Sequence, residues 1–313
     1  MIFDRTFLAV VGGVFVFLSV ASAIGWALAR RPMSEAGRGT VENLNARIRA
    51  WWVMVVILAG ALALGWTATI VLFGLLSFYA LREFLSLTPT KPADHWPLLA
   101  AFYVFLPAQY VLIGLDWYGL FSILIPTYGF LLLPILGVVR GDTQDFVPRM
   151  ARIQWGVILT VYCISHAPAL LLLRIPGFEG RSALLLVFLI LVVQLSDVMQ
   201  YVFGKLFGRT KVAPIVSPSK TVEGLIGGAG AAVAIGAALW WMTPFSPLQA
   251  AGMSAVIAVM GFFGGLVLSA AKRSLSVKDW GASIEGHGGV LDRMDSVCFA
   301  APVFFHLTRF FFA

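Results

Sequence analysis

The chain has 313 residues, 60% of them hydrophobic and 12% charged, with a mean hydropathy of +0.91. Soluble domains carry about 25% charged residues, so this composition excludes a water-facing globular fold and predicts a polytopic membrane protein. The formal charge of +7 then bears on orientation and on anionic headgroups, and no nucleic-acid partner is expected.

A transmembrane helix needs about 20 apolar residues to cross a hydrocarbon core roughly 30 Å thick. In chain order, the first qualifying stretch is 7–29. The next, 51–87, has Gly65-Trp66 near its middle and reads as two short spans. Then come 97–115, 116–139, 153–173, 183–203, 224–242 and 249–271, and 297–312 closes the chain. The expectation is an all-α, polytopic fold of about ten transmembrane helices with a polar cleft facing the cytoplasm. Residues 1–182 would form an N-terminal helical part and 183–313 a C-terminal catalytic part of one integral membrane unit. Cys163 and Cys298 fall inside apolar runs, so neither a disulfide nor a zinc site is suggested. No internal repeat or low-complexity segment is evident, and His95, His166 and His306 stand as isolated loop or helix residues.

Orientation follows from the positive-inside rule. With the N-terminus outside, segments 30–50, 82–97, 140–152, 204–223 and 272–296 are cytoplasmic and hold 18 of the 22 Lys and Arg residues. Ala21-Ser22-Ala23 resembles a signal-peptide cleavage site, but cleavage there would invert every later loop, and the apolar run continues to Ala29. A bacterial-type inner membrane is the expected location.

Two of these cytoplasmic segments have the spacing of a chemical site. The first is "QLSDVMQYVFGKLFGRTKVAPIVSPSKTVEG", Gln194 to Gly224. Asp197 is the one charged residue between Ala183 and Gly204, and an ionisable group inside a span is costly enough to be a site candidate. Lys205, Arg209, Lys211 and Lys220 follow. Ser217-Pro218-Ser219-Lys220-Thr221 then precedes a glycine-rich helix start at Gly224. Hydroxyls, a lysine and free N–H groups at a helix N-terminus make an anion site.

The second is "KDWGASIEGHGGVLDRMD", Lys278 to Asp295, with Lys272 and Arg273 upstream. Asp292 and Asp295 are three apart and share one helical face, a pattern suited to Mg²⁺, which keeps several waters and also binds substrate phosphates. Arg293 between them could hold a phosphate or brace the loop. Gly286, Gly288 and Gly289 flank His287 and permit close backbone approach to a bulky anion. A plain connector needs about 4–6 residues, far fewer than this polar stretch. Metal, polyphosphate and lipid headgroup together account for its chemistry.

Ser269, Lys272-Arg273, Lys278-Asp279, Gly286-His287-Gly288-Gly289 and Asp292-Arg293-Met294-Asp295 resemble, at matching spacing, the C-terminal signature of the phosphatidate cytidylyltransferase (CDP-diacylglycerol synthase) family. Asp197, Tyr201, Gly204-Lys205, Gly208 and Ser217 to Gly224 are similar to its preceding loop. The likeness covers roughly residues 190–313. It implies transfer of a cytidylyl group from CTP to phosphatidic acid, with Mg²⁺ as cofactor and a homodimeric assembly. Carried over, Asp292 and Asp295 would hold metal, and the catalytic group would be Asp197, Lys220, Lys278 and Asp279. Ser217, Lys272, Arg273, Gly286, His287, Gly288, Gly289 and Arg293 would bind phosphates or nucleotide.

The chain departs from the family pattern where Gly-Asp-Leu-x-Glu-Ser would stand: it reads Gly264-Gly265-Leu266-Val267-Leu268-Ser269, without either acid. Glu285 replaces a proline, and Ala271 a larger apolar residue. These departures support the alternative of a catalytically weak or inactive member that binds phosphatidic acid or CDP-lipid. A transporter or flippase fits less well, because its site would lie near the bilayer midplane, often between repeated halves.

Cysteines introduced at Arg209 and Ser276 are expected to react with an impermeant maleimide from the same, cytoplasmic side. Labelling from opposite sides would break both the topology and the shared site.

Overall fold

In the computed structural model, residues 5–30, 34–283 and 288–313 are described. Ten helical segments follow one another: α1 (Arg5–Ala29), α2 (Glu35–Leu64), α3 (Trp66–Leu87), α4 (Pro92–Gly114), α5 (Tyr118–Val138), α6 (Phe146–Leu172), α7 (Ala183–Phe207), α8 (Val222–Ala238), α9 (Pro247–Ser274) and α10 (Leu291–Phe312). Among the described residues, eight of them, all but α8 and α10, are long and apolar enough to cross a membrane. The protein is an all-α, polytopic membrane fold. Its one departure from helix is an antiparallel hairpin, β1 (Lys211–Ala213) with β2 (Ser217–Thr221), set between α7 and α8. Ile215 at its tip is fully open to the surroundings.

Helix breaks follow the residues that cannot continue a helix. Gly65 divides α2 from α3 with a φ of +111°, a backbone region that glycine enters without steric cost. α4, α5 and α6 each contain a π-helical stretch, Ala101–Phe105, Leu124–Gly129 and Ile158–Cys163. Pro107, Pro126 and Pro168 lie in or shortly after those stretches, and each removes one backbone donor from the ladder.

The span read at the start of 51–87 belongs to a longer helix. α2 begins at Glu35, capped by Ser34, whose hydroxyl accepts from Gly37 N. Arg38, Arg47 and Arg49 are excluded from lipid by their charge, but nothing excludes them from a helix. Among the eight apolar helices, α6 is the most enclosed, and α1 and α2 are the least. α1 and α2 lie antiparallel, joined by Asn45 Nδ2 to Gly25 O at 3.3 Å and Trp52 Nε1 to Ser22 Oγ at 3.0 Å.

Lipid tails are as apolar as leucine side chains, so transmembrane helices associate through close packing at small residues. The last four helices follow this rule. Where α8 crosses α7, a Cβ on Gly228 would lie 2.7 Å from the backbone N of Gln200 and still nearer its side chain. A Cβ on Gly236 would run into Ser254 of α9, and one on Gly264 would lie 2.6 Å from the Asp295 carbonyl of α10. These crossings hold α7 to α10 as one block. Its polar end gathers the hairpin, the α9–α10 loop and the end of α3.

Gly230, two residues from Gly228, has open space where its Cβ would go. Overpacking a close crossing costs about 1–3 kcal/mol. Gly228→Leu is therefore expected to lower the melting temperature in detergent, and Gly230→Leu to leave it unchanged. Equal effects from the two substitutions would remove the glycine crossing as the cause.

Candidate functional site

Three segments bring charge to one end of the bundle: the Asp197 turn of α7, the hairpin with Lys220, and the start of α10. Hydrogen bonds tie them together. Arg273 Nε, at the end of α9, donates to Val216 O in the hairpin at 3.4 Å. Thr221 caps α8 by accepting from Gly224 N at 3.0 Å. Glu223 accepts from Arg209 N and Thr210 N, both at 3.0 Å, which folds the hairpin back on the helix it precedes.

Lys220 runs from the hairpin into α9. Its Nζ donates to Phe262 O at 2.9 Å and lies 4.5 Å from the centre of the Phe262 ring. Such a cation over an aromatic face is stabilised by about 0.5–2 kcal/mol, according to how far it is desolvated. The ammonium occupies the space left by a missing side chain: a Cβ at residue 265 would lie 2.8 Å from Lys220 Nζ and 3.5 Å from Asp295 Oδ2. Burial pushes the Lys220 pKa down, while the nearby carboxylates of Asp197 and Asp295 oppose the shift.

Asp197 Oδ2 accepts from Ser296 Oγ at 2.9 Å, which links α7 to α10. Asp197 and Asp295 repel one another electrostatically, and Lys220 and Arg293 offset that repulsion. Asp295 Oδ1 accepts from Ser296 N at 2.7 Å. Arg293 is half-buried, and its Nε has no protein partner among the described residues. Two carboxylates, one seated ammonium and one guanidinium form the centre of the site.

Asp292 is held differently, although it lies one turn from Asp295. Its Oδ1 accepts from Lys272 Nζ at 2.6 Å; its Oδ2 accepts from Trp280 N at 2.8 Å and Gly289 N at 2.9 Å. The residue is buried. Gly288, with a φ of +78°, lets the chain turn over this carboxylate: a Cβ there would lie 2.7 Å from Asp292 Oδ2. The two aspartates thus share a helix face but engage separate partners.

Of the other residues picked from the sequence, Ser217 is buried at the start of β2, while Arg273, Lys278 and Asp279 are exposed at the rim. Asp279 backs onto Gly288. Gly286 and His287 lie outside the described residues, as does Glu285.

Glu83, near the end of α3, went unremarked in the sequence. It is buried, and it accepts from Ser283 Oγ at 2.7 Å, Val290 N at 3.0 Å and Leu291 N at 2.9 Å. The one available signal was a lone acid in the run 66–87. Beside it, Phe84 packs on Trp280 with ring centres 5.2 Å apart.

Among the described residues, no group of three or more His, Cys, Asp or Glu could hold a metal ion. The pair Asp197 and Asp295 matches the smaller requirement of Mg²⁺, which is commonly bound by one or two carboxylates together with substrate phosphates and water.

The fold is that of a polytopic membrane protein, and comparison with known proteins assigns its class. A family model described as "Cytidylyltransferase family" matches residues 45–311, so the chain belongs to the cytidylyltransferase family and is a nucleotidyltransferase. It is 40% identical to YnbB of Escherichia coli (strain K12), a protein described as uncharacterized, over 95% of this chain and 96% of that one. It is 39% identical to a phosphatidate cytidylyltransferase of Staphylococcus aureus (strain COL), over 40% of this chain and 48% of the relative. A second phosphatidate cytidylyltransferase, from Staphylococcus saprophyticus, is 38% identical over 40% of this chain and 50% of the relative. The match thus spans about half the length of those two staphylococcal enzymes.

The two aspartates of α10 should respond differently to neutralisation. Asp295→Asn is expected to lower turnover by about 10²–10³-fold, the scale of losing one electrostatic contact in an active site, with an unchanged melting temperature. Asp292→Asn sets an amide against three donors and leaves Lys272 without its anion, so the melting temperature should fall along with turnover. The same thermal stability in both variants would contradict this division.

Proposed function

We propose that the chain is a phosphatidate cytidylyltransferase, taking CTP and phosphatidic acid to CDP-diacylglycerol and pyrophosphate at the cytoplasmic face of an inner membrane. An oxygen of the lipid phosphate attacks the α-phosphorus of CTP. The new P–O bond forms as the α–β phosphoanhydride bond breaks, and pyrophosphate leaves with the bonding electron pair. Nucleophile and electrophile are both anionic, so positioning and charge neutralisation are the catalytic task. The observation that carries the reading is the meeting of Asp197, Asp295, Lys220 and Arg293 where the α7 and α10 segments approach the bundle's polar end.

In this reading, Lys220 and Arg293 receive phosphate oxygens and Lys272 keeps Asp292 in place. Arg273, Lys278, Asp279 and Ser217 line the approach from the aqueous side. Asp197 and Asp295 would hold Mg²⁺, which when bound supplies positive charge against the phosphates. Gly265 favours a second reading, a member that binds its lipid and nucleotide but turns over weakly. Where a carboxylate could have joined Asp295, this chain has an ammonium instead.

Purified protein given phosphatidic acid, CTP and Mg²⁺ is expected to form CDP-diacylglycerol and pyrophosphate, and to stop when EDTA is added. Gly265→Asp should lower the Mg²⁺ concentration that gives half-maximal rate. No product from the wild-type protein at any Mg²⁺ concentration, together with product from Gly265→Asp, would support the weak-binder reading. No product from either would exclude the transfer reaction.

A further inference from the structure

We propose that Glu83 is a positioning residue for the transfer reaction. It is an anion supplied by the N-terminal half that fixes the first turn of α10, and with it Asp292, Arg293 and Asp295. The inference rests on the cytidylyltransfer reading of the site.

An α-helix leaves its first backbone N–H groups without partners inside the helix, and its N-terminal end carries a partial positive charge. The residue before α10, Val290, contributes no side-chain cap. The donors are met from elsewhere. Gly289 N is taken by Asp292 Oδ2, Val290 N by Glu83 Oε1 and Leu291 N by Glu83 Oε2. Ser283 Oγ adds a third donor to Glu83 and ties down the loop before the helix. A residue some 200 positions away in sequence thus does the work of a local cap.

The backbone passes close to that carboxylate. A Cβ on Gly281 would lie 2.8 Å from Glu83 Oε1, and one on Gly289 would collide with Glu83 Oε2. The two glycines let the loop close directly over the acid. Phe84, the next residue of α3, anchors the same loop by packing on buried Trp280, whose backbone N donates to Asp292 Oδ2. Two neighbouring residues of α3 therefore hold this loop in its middle, at Trp280 and Ser283, and where it enters α10.

The consequence for substrate is specific. At the N-terminus of α10, two of the protein's own carboxylates, Glu83 and Asp292, already take the N–H groups of Gly289, Val290 and Leu291, so those donors are not free for a substrate phosphate. The side chains of Lys220 and Arg293 are then the nearer donors for substrate anions. Glu83 does not touch them; it acts through the register and direction of α10.

The test compares Glu83→Gln and Glu83→Asp with the wild-type protein. Glutamine keeps the shape but turns an amide N–H toward one of the backbone donors. Aspartate keeps the charge but falls short by one methylene. Hydrogen–deuterium exchange should show faster exchange across 288–295 in both variants, with exchange in α7 and α8 unchanged. Turnover per mole of monodisperse protein should fall by roughly 10²-fold in Glu83→Gln, the scale of a misplacement near 1 Å, while KM for CTP stays within about threefold because no substrate contact is lost. Glu83→Asp should recover part of that turnover. Unchanged exchange across 288–295 would overturn the clamp. Unchanged turnover per folded molecule would overturn its catalytic role, leaving only a structural one. If the wild-type protein makes no CDP-diacylglycerol, the cytidylyltransfer reading fails and with it the catalytic role, while the exchange measurement still decides the clamp.

Discussion

A carboxylate moved away from water must be met by donors or by positive charge, because burying it ionised and alone costs more than a fold can tolerate. Four acids, Glu83, Asp197, Asp292 and Asp295, impose that requirement on the polar end of this bundle. Each is answered from a different part of the chain. Glu83 draws in the α9–α10 loop, Asp292 draws in Lys272, Asp197 draws in Ser296, and Asp295 faces Lys220 across the notch at Gly265. Taken together, these pairings connect α3, α7, α9, α10 and the hairpin. The apolar body of the bundle permits many helix arrangements, and the acids select among them.

The same requirement separates support from chemistry. Asp292 and Glu83 have their oxygens occupied by backbone N–H groups, a lysine and a hydroxyl. Asp197 and Asp295 have fewer protein donors, and each lies in the other's field. The under-satisfied pair is where an added cation or a protonated ligand would be most stabilising. The satisfied pair holds the scaffold on which that site depends.

Much of this was legible in the sequence, for physical reasons that differ from element to element. Lipid requires long apolar runs whatever their internal period, so nearly every helix could be placed from hydropathy alone. The start of α2 could not, because Arg38, Arg47 and Arg49 mark the edge of the bilayer without marking the edge of the helix. The hairpin at Lys211–Thr221 was missed as well, since two short strands set among glycines and prolines leave little periodic trace. Asp292 and Asp295 were readable as a pair by their spacing, but spacing cannot say which donors each will meet. Glu83 was hidden for a simpler reason: all its partners lie in the last quarter of the chain, and a lone acid beside Arg82 looks like a topology signal. The missing acid at Gly265 was plain, whereas the ammonium that takes its place required coordinates.

α2 is 30 residues long, and at 1.5 Å per residue such a helix measures about 45 Å. The hydrocarbon core is only about 30 Å thick. Tilting would absorb the excess if the surplus turns were apolar, but they carry Glu35, Arg38 and Glu42. The first three turns or so must therefore rise out of the bilayer among the lipid headgroups. Because α1 and α2 are the helices least enclosed by the rest of the protein, these turns stand at the periphery. A charged post of that kind takes up room in the headgroup layer around it, so lipids on that side of the protein pack against protein as well as against one another.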